Sequence, residues 1–204
     1  MTVEKISSKL PNLQTSTLFS NQIQQTFQTA KVSSPRDKRL HVEIRSDLLP
    51  PLLSYAKTYL ECTHFSHMSC VDWIEDKEFE LVYILWSYEK SIQLIIKTRI
   101  PREKAEIATC NKFWPQISTY EREIHEMFGV KFNGNDAMGE FILEDWDDMP
   151  PMRRDFDTEK YARENFAFRD DRRDDAIDVR ENIMEHSGEE LPDFAEEYSV
   201  RKKD

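Results

Sequence analysis

The sequence predicts an α+β domain in which helices pack on a mostly antiparallel sheet, followed by an extended C-terminal arm. Three predicted strands, at residues 65–71, 79–86 and 92–100, follow one another with short turns. A strand and an amphipathic helix precede them, and a further helix follows. Consecutive strands joined by short turns pair in antiparallel fashion. We place this domain at residues 40–143, and about a hundred residues are enough to bury a core.

The first strand and helix are predicted from two different periodicities. Residues 41–45 alternate between apolar and polar side chains, which is typical of a strand. Apolar residues between 52 and 63 recur at helical spacing, and Pro50 and Pro51 fit the first turn of a helix. The run 79–86 is apolar on both alternating faces, which predicts a strand covered on both sides of the sheet.

The later elements of the domain are shorter. Residues 105–113 are predicted as a short helix and residues 130–132 as an extended segment. Residues 133–136, Asn-Gly-Asn-Asp, are a strong turn signal, and residues 141–143 are predicted as one more strand or an extended strip.

The N-terminal segment predicts little ordered structure. Residues 1–39 are rich in Ser, Thr, Gln and Asn, and their apolar positions are too thinly spread to define a core element. We therefore expect a polar N-terminal extension, with at most a weak helix at residues 21–29.

Charge and hydropathy exclude several function classes. The net charge of −11 disfavours nucleic acid and anionic lipid as partners, because their phosphates would be repelled. The longest apolar run, residues 81–86, is far shorter than the ~20 residues of a membrane span, and no signal peptide is evident. The three widely spaced cysteines form no Cys-x-x-Cys pair and fit a reducing, cytoplasmic compartment.

The most informative stretch runs from Trp114 to Gly129 and predicts one short helix. Ser118 and Glu121 form a Ser-x-x-Glu capping box at its start, and Gly129 supplies the left-handed residue at its end. The beginning of a His-Glu-x-x-His zinc motif at His125 is not completed, because Gly129 stands where the second histidine belongs.

One side of this helix is predicted to be densely charged and exposed. Arg122 with Glu126, and Glu121 with His125, are spaced four residues apart, as in pairs on one helix face. Such a face is either a partner-binding surface or simply a solvated side of the helix.

Residues 144–157 predict a segment that needs another surface to lie on. Its two prolines, Pro150 and Pro151, preclude a helix, and it has few side chains for a local core. Its candidate anchors are apolar or guanidinium groups suited to an interface: Trp146, Met149, Met152, Arg153, Arg154 and Phe156. The alternative is an irregular loop folded back on its own domain. Residues 144–204 hold 21 acidic and 11 basic residues, which predicts an acidic arm ordered by a partner.

A catalytic or cofactor-binding pattern is absent from the sequence. Four glycines cannot form a phosphate-binding loop, and His64 and His67 are predicted on opposite faces of a strand. The acidic run at 145–148 lacks the glycine and glutamate of a calcium loop. A hydrolase using His125 with Glu121 or Glu123 remains the enzymatic alternative, although no nucleophile or oxyanion loop accompanies them. We therefore expect no catalytic, cofactor or metal residues, and a binding or structural role.

Two motifs resemble one family. Trp114-Pro-(x)₄-Tyr120-Glu-Arg-Glu-Ile-(x)₂-Met-Phe-Gly129 is followed by Glu144-Asp-Trp146 and by Pro151-Met-Arg-Arg-Asp-Phe156. In this order and at this separation they resemble the thirty-kilodalton subunit of respiratory complex I, the proton-pumping NADH:quinone oxidoreductase. Residues 68–73 and 79–87 also look like that family, and the likeness spans roughly residues 41–160.

The resemblance implies a cofactor-free protein of the peripheral arm on the cytoplasmic side of the membrane. Its main partner would be the forty-nine-kilodalton subunit of the complex, which we call the large partner subunit. Neighbouring iron–sulfur subunits would be further partners, and NADH, FMN, iron–sulfur clusters and quinone would be bound by other subunits. The residues expected at the partner interface combine the helix motif with the later segment: Tyr120, Glu121, Arg122, Glu123, Glu126, Trp146, Arg153, Arg154, Asp155 and Phe156.

The sequence also departs from the family pattern. The family commonly has aspartate at the position of Glu126, a basic pair in the loop at residues 137–140, and a glycine-containing link near Asp147. Related subunits serve membrane-bound energy-converting [NiFe] hydrogenases and ferredoxin-linked complexes, so the resemblance leaves that branch as the alternative.

Overall fold

The computed structural model describes the backbone of residues 10–166 and the side chains of residues 16–166. The chain divides after Phe156 into two compact units. The first contains a five-stranded sheet and three longer helices, so the predicted α+β class with a mostly antiparallel sheet is confirmed. Of the second unit, the described part holds one helix, whose first turn is capped by the carboxylate of Asp157. Residues 167–204, most of the predicted acidic tail, lie outside the described residues.

The elements follow one another along the chain without long gaps. In order they are α1 (Leu10–Thr26), β1 (Lys31–Arg36), β2 (Arg39–Glu43), a 3₁₀ helix (Ser46–Leu48), α2 (Leu49–Thr58), β3 (His64–Trp73), β4 (Glu78–Ser87), β5 (Ile92–Pro101), β6 (Glu106–Ala108), α3 (Ile117–Phe128), β7 (Lys131–Asn133) and, in the second unit, α4 (Thr158–Asn165).

The main sheet has the strand order β1-β2-β5-β4-β3. The three ten-residue strands β3, β4 and β5 pair in antiparallel fashion, as their short turns predict. Strand β2 pairs with β5 in parallel, so the early strand joins the sheet beside the last of these three strands. A β-bulge interrupts β3 between Phe65 and His67, and bulges of this kind are common on edge strands.

The core lies on one face of this sheet. Along β4 the alternate residues Phe79, Leu81, Tyr83 and Leu85 are fully buried, whereas the residues between them are mostly half-buried. Phe128 of α3 packs edge-on against Phe79, with ring centres 6.0 Å apart, which places α3 on the buried face. The prediction that this strand is covered on both sides is therefore wrong.

The N-terminal segment is folded where a polar extension is expected. Phe19 and Ile23 of α1, and Phe27 directly after it, recur every four residues and are buried, because this stripe faces the core. The ring of Phe27 lies edge-on to Tyr55 of α2, with centres 5.7 Å apart. At least residues 16–39 thus belong to the domain, and the helix is longer than the predicted weak helix at 21–29.

Two short elements also differ from expectation. The helix predicted at residues 105–113 is instead β6 followed by turns, and β6 pairs in parallel with β7. Of the two alternatives predicted at residues 141–143, the strand does not form. Both segments obtain their backbone partners from distant parts of the chain, which local patterns do not reveal.

Candidate partner-binding surface

Helix α3 begins and ends at well-defined residues. Gln116 occupies the N-cap position without a side-chain hydrogen bond, so the predicted capping box at Ser118 is wrong. The Ser118 hydroxyl donates instead to Oδ1 of Asn135 over 3.1 Å. Gly129 ends the helix with φ of 79°, the left-handed conformation that was predicted for it.

Glu121 is fully buried, although the sequence places it on a charged surface. Its carboxylate accepts hydrogen bonds from the Thr109 hydroxyl at 2.6 Å, the Cys110 backbone N–H at 2.9 Å and Nδ2 of Asn135 at 2.8 Å. The predictions that Glu121 pairs with His125 and contacts a partner are therefore wrong. Three donors within its own domain hold the carboxylate in place.

Burial controls the ionisation of the groups around this carboxylate. It raises the pKa of Glu121, and the three hydrogen bonds act in the opposite direction. Burial also raises the pKa of the Cys110 thiol to about 12, with the Glu121 charge acting in the same direction. A thiol with this pKa is not a nucleophile at neutral pH. Glu121 has no access to solvent, which argues against the form of the hydrolase alternative that pairs Glu121 with His125.

Arg122 and Glu126 hold a loop instead of pairing with each other. We call residues 136–148 the clamped loop. Nη2 of Arg122 donates to the carbonyl oxygen of Glu140 over 2.8 Å. The Glu126 carboxylate accepts from the three successive backbone N–H groups of residues 141–143. An irregular loop leaves such groups without partners, and these two side chains supply them.

A buried aspartate anchors the segment that follows, residues 149–156, which we call the C-terminal strip. Asp72, with a side chain only 1% exposed, accepts from Nε of Arg102 over 3.0 Å and from the backbone N–H of Arg154 over 3.0 Å. Arg102 also donates to Asp155 over 2.5 Å, and this hydrogen bond lowers the pKa of the Asp155 carboxyl. The strip is therefore tied to the sheet.

The two arginines of the strip bind their own domain as well. Nε of Arg153 donates to the carbonyl of Phe128 over 2.7 Å, and its guanidinium lies 5.5 Å from the centre of the Phe79 ring. Nη1 of Arg154 lies 2.8 Å from each carboxylate oxygen of Glu75. For these groups the alternative interpretation, a segment folded back on its own domain, describes the structure.

The other expected interface residues lie in three different settings. The Tyr120 ring packs edge-on against Phe65, with centres 5.6 Å apart. Trp146 packs against Phe156, with centres 5.7 Å apart. Glu123 is exposed to solvent. Partner contacts by these residues stay predictions.

Metal-ligating residues do not cluster in the part of the chain that the structure describes. Among those residues, no three or more of His, Cys, Asp and Glu are grouped as a metal site. The rings of His64 and His67 pack against Tyr88 and Tyr120, respectively. None of the helices within residues 10–166 has the length and hydropathy that crossing a bilayer requires.

Comparison with known families decides what this domain is. The family model described as "Respiratory-chain NADH dehydrogenase, 30 Kd subunit" matches residues 42–162, which is more than half of the chain. The chain belongs to this family. The match covers α2, α3, the clamped loop and the C-terminal strip.

Individual relatives within this NADH dehydrogenase family come from several complexes. The chain is 32% identical over 115 residues to the C/D 2 subunit of NADH-quinone oxidoreductase from Aquifex aeolicus, covering 56% of this chain but only 19% of that protein. It is 29% identical over 133 residues to the C subunit of F(420)H(2) dehydrogenase from Methanosarcina mazei, covering 63% of this chain and 80% of that protein.

Solved structures agree with the fold. A chain of the membrane-bound sulfane sulfur reductase, an archaeal respiratory membrane complex, superimposes with a TM-score of 0.65 at 32% identity, covering 76% of this chain and 96% of that chain. A trypsin-resistant fragment of Nqo5 superimposes with a TM-score of 0.50 at 16% identity, covering 58% and 96%, and shows the fold alone.

Sequence reasoning missed the residues that organise this NADH dehydrogenase family domain internally. Asp72 and Arg102 join the sheet to the C-terminal strip, and Thr109 and Asn135 hold Glu121. Asp72 lies directly after the predicted strand 65–71 and is an inward residue of the longer β3. A charged residue in register with the inward side of a strand was the available signal, because such a residue requires a partner.

Proposed function

We propose that this chain is a structural subunit, holding no cofactor of its own, in the peripheral arm of a proton-pumping NADH:quinone oxidoreductase. It would lie against the large partner subunit and support the quinone-reducing end of the electron path. The supporting observation is the joined C/D relatives, such as the Aquifex aeolicus protein, in which the matched segment is about a fifth of a longer chain. Two subunits joined in one chain can both assemble only if their positions in the complex lie within reach of the linker between them.

The surface of the domain is consistent with a protein partner. Large apolar side chains stand exposed in the clamped loop and the C-terminal strip, with Ile142 53% and Met152 57% exposed. Exposed apolar side chains grouped in one region are typical of interaction sites. The backbone around them is fixed by hydrogen bonds, so docking requires little further ordering.

In this assignment the chemistry is carried by neighbouring subunits. NADH, FMN, the iron–sulfur clusters and quinone would be bound by them, and the present chain would lie peripherally on the cytoplasmic side of the membrane. The residues beyond the C-terminal strip, which carry much of the negative charge, would lie on the partner.

The test is purification of the complex that contains the chain. An affinity tag added to the chromosomal copy, followed by mild detergent extraction and mass spectrometry, should recover the large partner subunit and iron–sulfur subunits in equal amounts. Their recovery with an FMN-bearing, NADH-oxidising module supports the proposal. Recovery of the chain alone from the soluble fraction, at normal expression, overturns it.

A second candidate is the equivalent subunit of a complex with another electron donor or acceptor, such as a membrane-bound [NiFe] hydrogenase relative or a ferredoxin-linked complex. The structural similarity to the sulfane sulfur reductase chain, with a TM-score of 0.65, supports this second candidate. The same purification separates the two: nickel, or the absence of an NADH-oxidising module, identifies the second.

A further inference from the structure

Between α3 and the clamped loop lies a cleft of about 330 Å³. His125, Glu126 and Gly129 line it from the side of the helix. Met138, Leu143, Trp146, Glu140 and Asp148 line it from the loop. The walls are thus apolar, and carboxylates stand among them.

The charged side chains that line this cleft are carboxylates. The Nδ1 atom of His125 is already engaged, since it lies 2.8 Å from the carbonyl oxygen of Val130. Glu140 and Asp148 are carboxylates with exposed side chains. A cleft with apolar walls and acceptor groups matches a ligand that has an aliphatic stem and a hydrogen-bond-donating, positively charged end.

The charge of the clamped loop points to the same chemistry. It contains six acidic residues and no basic residue: Asp136, Glu140, Glu144, Asp145, Asp147 and Asp148. Within the described residues, none of the six forms a salt bridge, whereas Asp72, Glu75 and Glu80 of the sheet region are all paired with arginine or lysine. The loop therefore presents uncompensated negative charge, which favours a basic partner surface.

The loop is also held rigid while its apolar residues are exposed. Arg122 stacks on Phe141, with the guanidinium 4.6 Å from the ring centre, and Glu126 fixes the next amides. Even so, Phe141, Ile142, Met149 and Met152 remain exposed. Exposed apolar side chains grouped on a backbone that hydrogen bonds hold in place are typical of a surface that binds a partner.

We propose that the cleft receives an arginine or lysine side chain from a basic surface of the large partner subunit, with the exposed apolar side chains of residues 141–152 packing around it. This inference rests on the proposed function and names the chemistry of its interface. Glu126 and Arg122 act as positioning residues, since they hold the loop and need not touch the partner.

The test compares two pairs of charge-neutralising variants in the host. Glu140→Gln/Asp148→Asn removes two cleft charges without changing side-chain size, and the Asn Oδ1 still accepts from the Met149 N–H. The matched control, Asp37→Asn/Glu89→Gln, removes two exposed charges from sheet turns. Each tagged variant is co-expressed with the untagged wild-type chain, and quantitative mass spectrometry measures the share of tagged chain in the purified membrane complex.

We expect the cleft variant to be incorporated about tenfold less than the tagged wild-type chain and the control equally well, because a charged pair buried in an interface is costly to break. Complexes that do contain the variant should dissociate with a weaker dependence on NaCl concentration. Thermal unfolding of the purified variant should match the wild-type chain, which separates loss of docking from loss of folding.

A second pair tests the apolar part. Ile142→Ser/Met152→Ser should reduce incorporation by a similar factor, whereas Leu18→Ser/Tyr59→Ser, at residues of comparable exposure, should not. Incorporation of either test pair at the wild-type level overturns the inference. If the tagged wild-type chain itself enters no membrane complex, the proposed function fails instead, so the two failures are distinguishable.

Discussion

Replacing Glu121 tests whether this helix motif residue stabilises the domain or binds a partner. The fully buried carboxylate accepts three hydrogen bonds, at 2.6, 2.9 and 2.8 Å. In Glu121→Ala the Cys110 N–H and the Asn135 amide lose their acceptor, and a buried donor without a partner costs about 1–3 kcal/mol. With the cavity added, we expect the free energy of unfolding to fall by about 3–5 kcal/mol.

Glu121→Gln is the more discriminating change because it keeps the shape. Its Oε1 still accepts from Cys110, and the Thr109 hydroxyl can turn to accept from the new NH₂ group. Nδ2 of Asn135 cannot accept, and its Oδ1 is already engaged with Ser118, so one donor faces another donor. We expect a loss of about 1–3 kcal/mol at pH 7.

The pH dependence of this difference checks the assignment further. Burial raises the pKa of Glu121 above its ordinary value of 4.5, so the folded chain binds this proton more tightly than the unfolded chain. The stability contributed by the protonated carboxyl is therefore fully present below pH 4.5 and is lost as the pH rises through the folded-state pKa. The difference in the free energy of unfolding between the wild-type chain and Glu121→Gln should therefore become smaller as the pH rises through this range.

Urea unfolding followed by tryptophan fluorescence at several pH values measures these quantities. Glu123→Gln is the control, since Glu123 is exposed two residues away and its replacement should change stability by less than about 0.5 kcal/mol. Equal stability of Glu121→Gln and Glu123→Gln refutes the burial argument. A deficit that widens with pH shows that hydrogen bonding outweighs burial in setting the pKa of Glu121.

Three further outcomes follow from the other contacts. Asp72→Ala should release the C-terminal strip, because Asp72 binds both the Arg102 side chain and the strip backbone, and limited proteolysis should then cut the strip faster than in the wild-type chain. Gly129→Ala should lower the free energy of unfolding by about 1–2 kcal/mol, measured by urea unfolding, since φ of 79° is strained for alanine and the new Cβ would lie 2.8 Å from Nη2 of Arg153. Cys62 and Cys110, whose pKa values burial raises to about 12, should resist iodoacetamide at pH 8 until the chain is unfolded, and rapid labelling of the folded chain would contradict their burial.

The sequence predicts the long strands and the C-terminal end of α3 well because their signals are local. Strands β3, β4 and β5 alternate or run apolar over ten residues. A glycine that follows an apolar helical stripe, as Gly129 does, marks the end of that helix. The stripe of Phe19, Ile23 and Phe27 was missed because polar residues surround it and dilute the hydropathy of the segment. These residues are buried only because α2 and the sheet pack against them.

The candidate site was harder to predict because its contacts join residues far apart in the chain. The spacing of Ser118 and Glu121 matches a capping box, but the donors that hold Glu121 come from residues 109–110 and from Asn135. Likewise, β6 is a strand only because β7 lies beside it. Patterns within one helix cannot show which distant groups compete for a side chain.

The same competition explains why Arg122 and Glu126 do not form the pair that their spacing suggests. An exposed pair four residues apart on a helix contributes only about 0.2–0.5 kcal/mol. The clamped loop instead presents two carbonyls and three amides, each of which lacks a partner in secondary structure. Hydrogen bonds from charged groups to such partners contribute roughly 1.5–3 kcal/mol each, so the loop outcompetes the pair. Helix α3 therefore holds the clamped loop in place, and if the proposed docking is correct, a substitution at either residue should impair it without removing any contact with the partner.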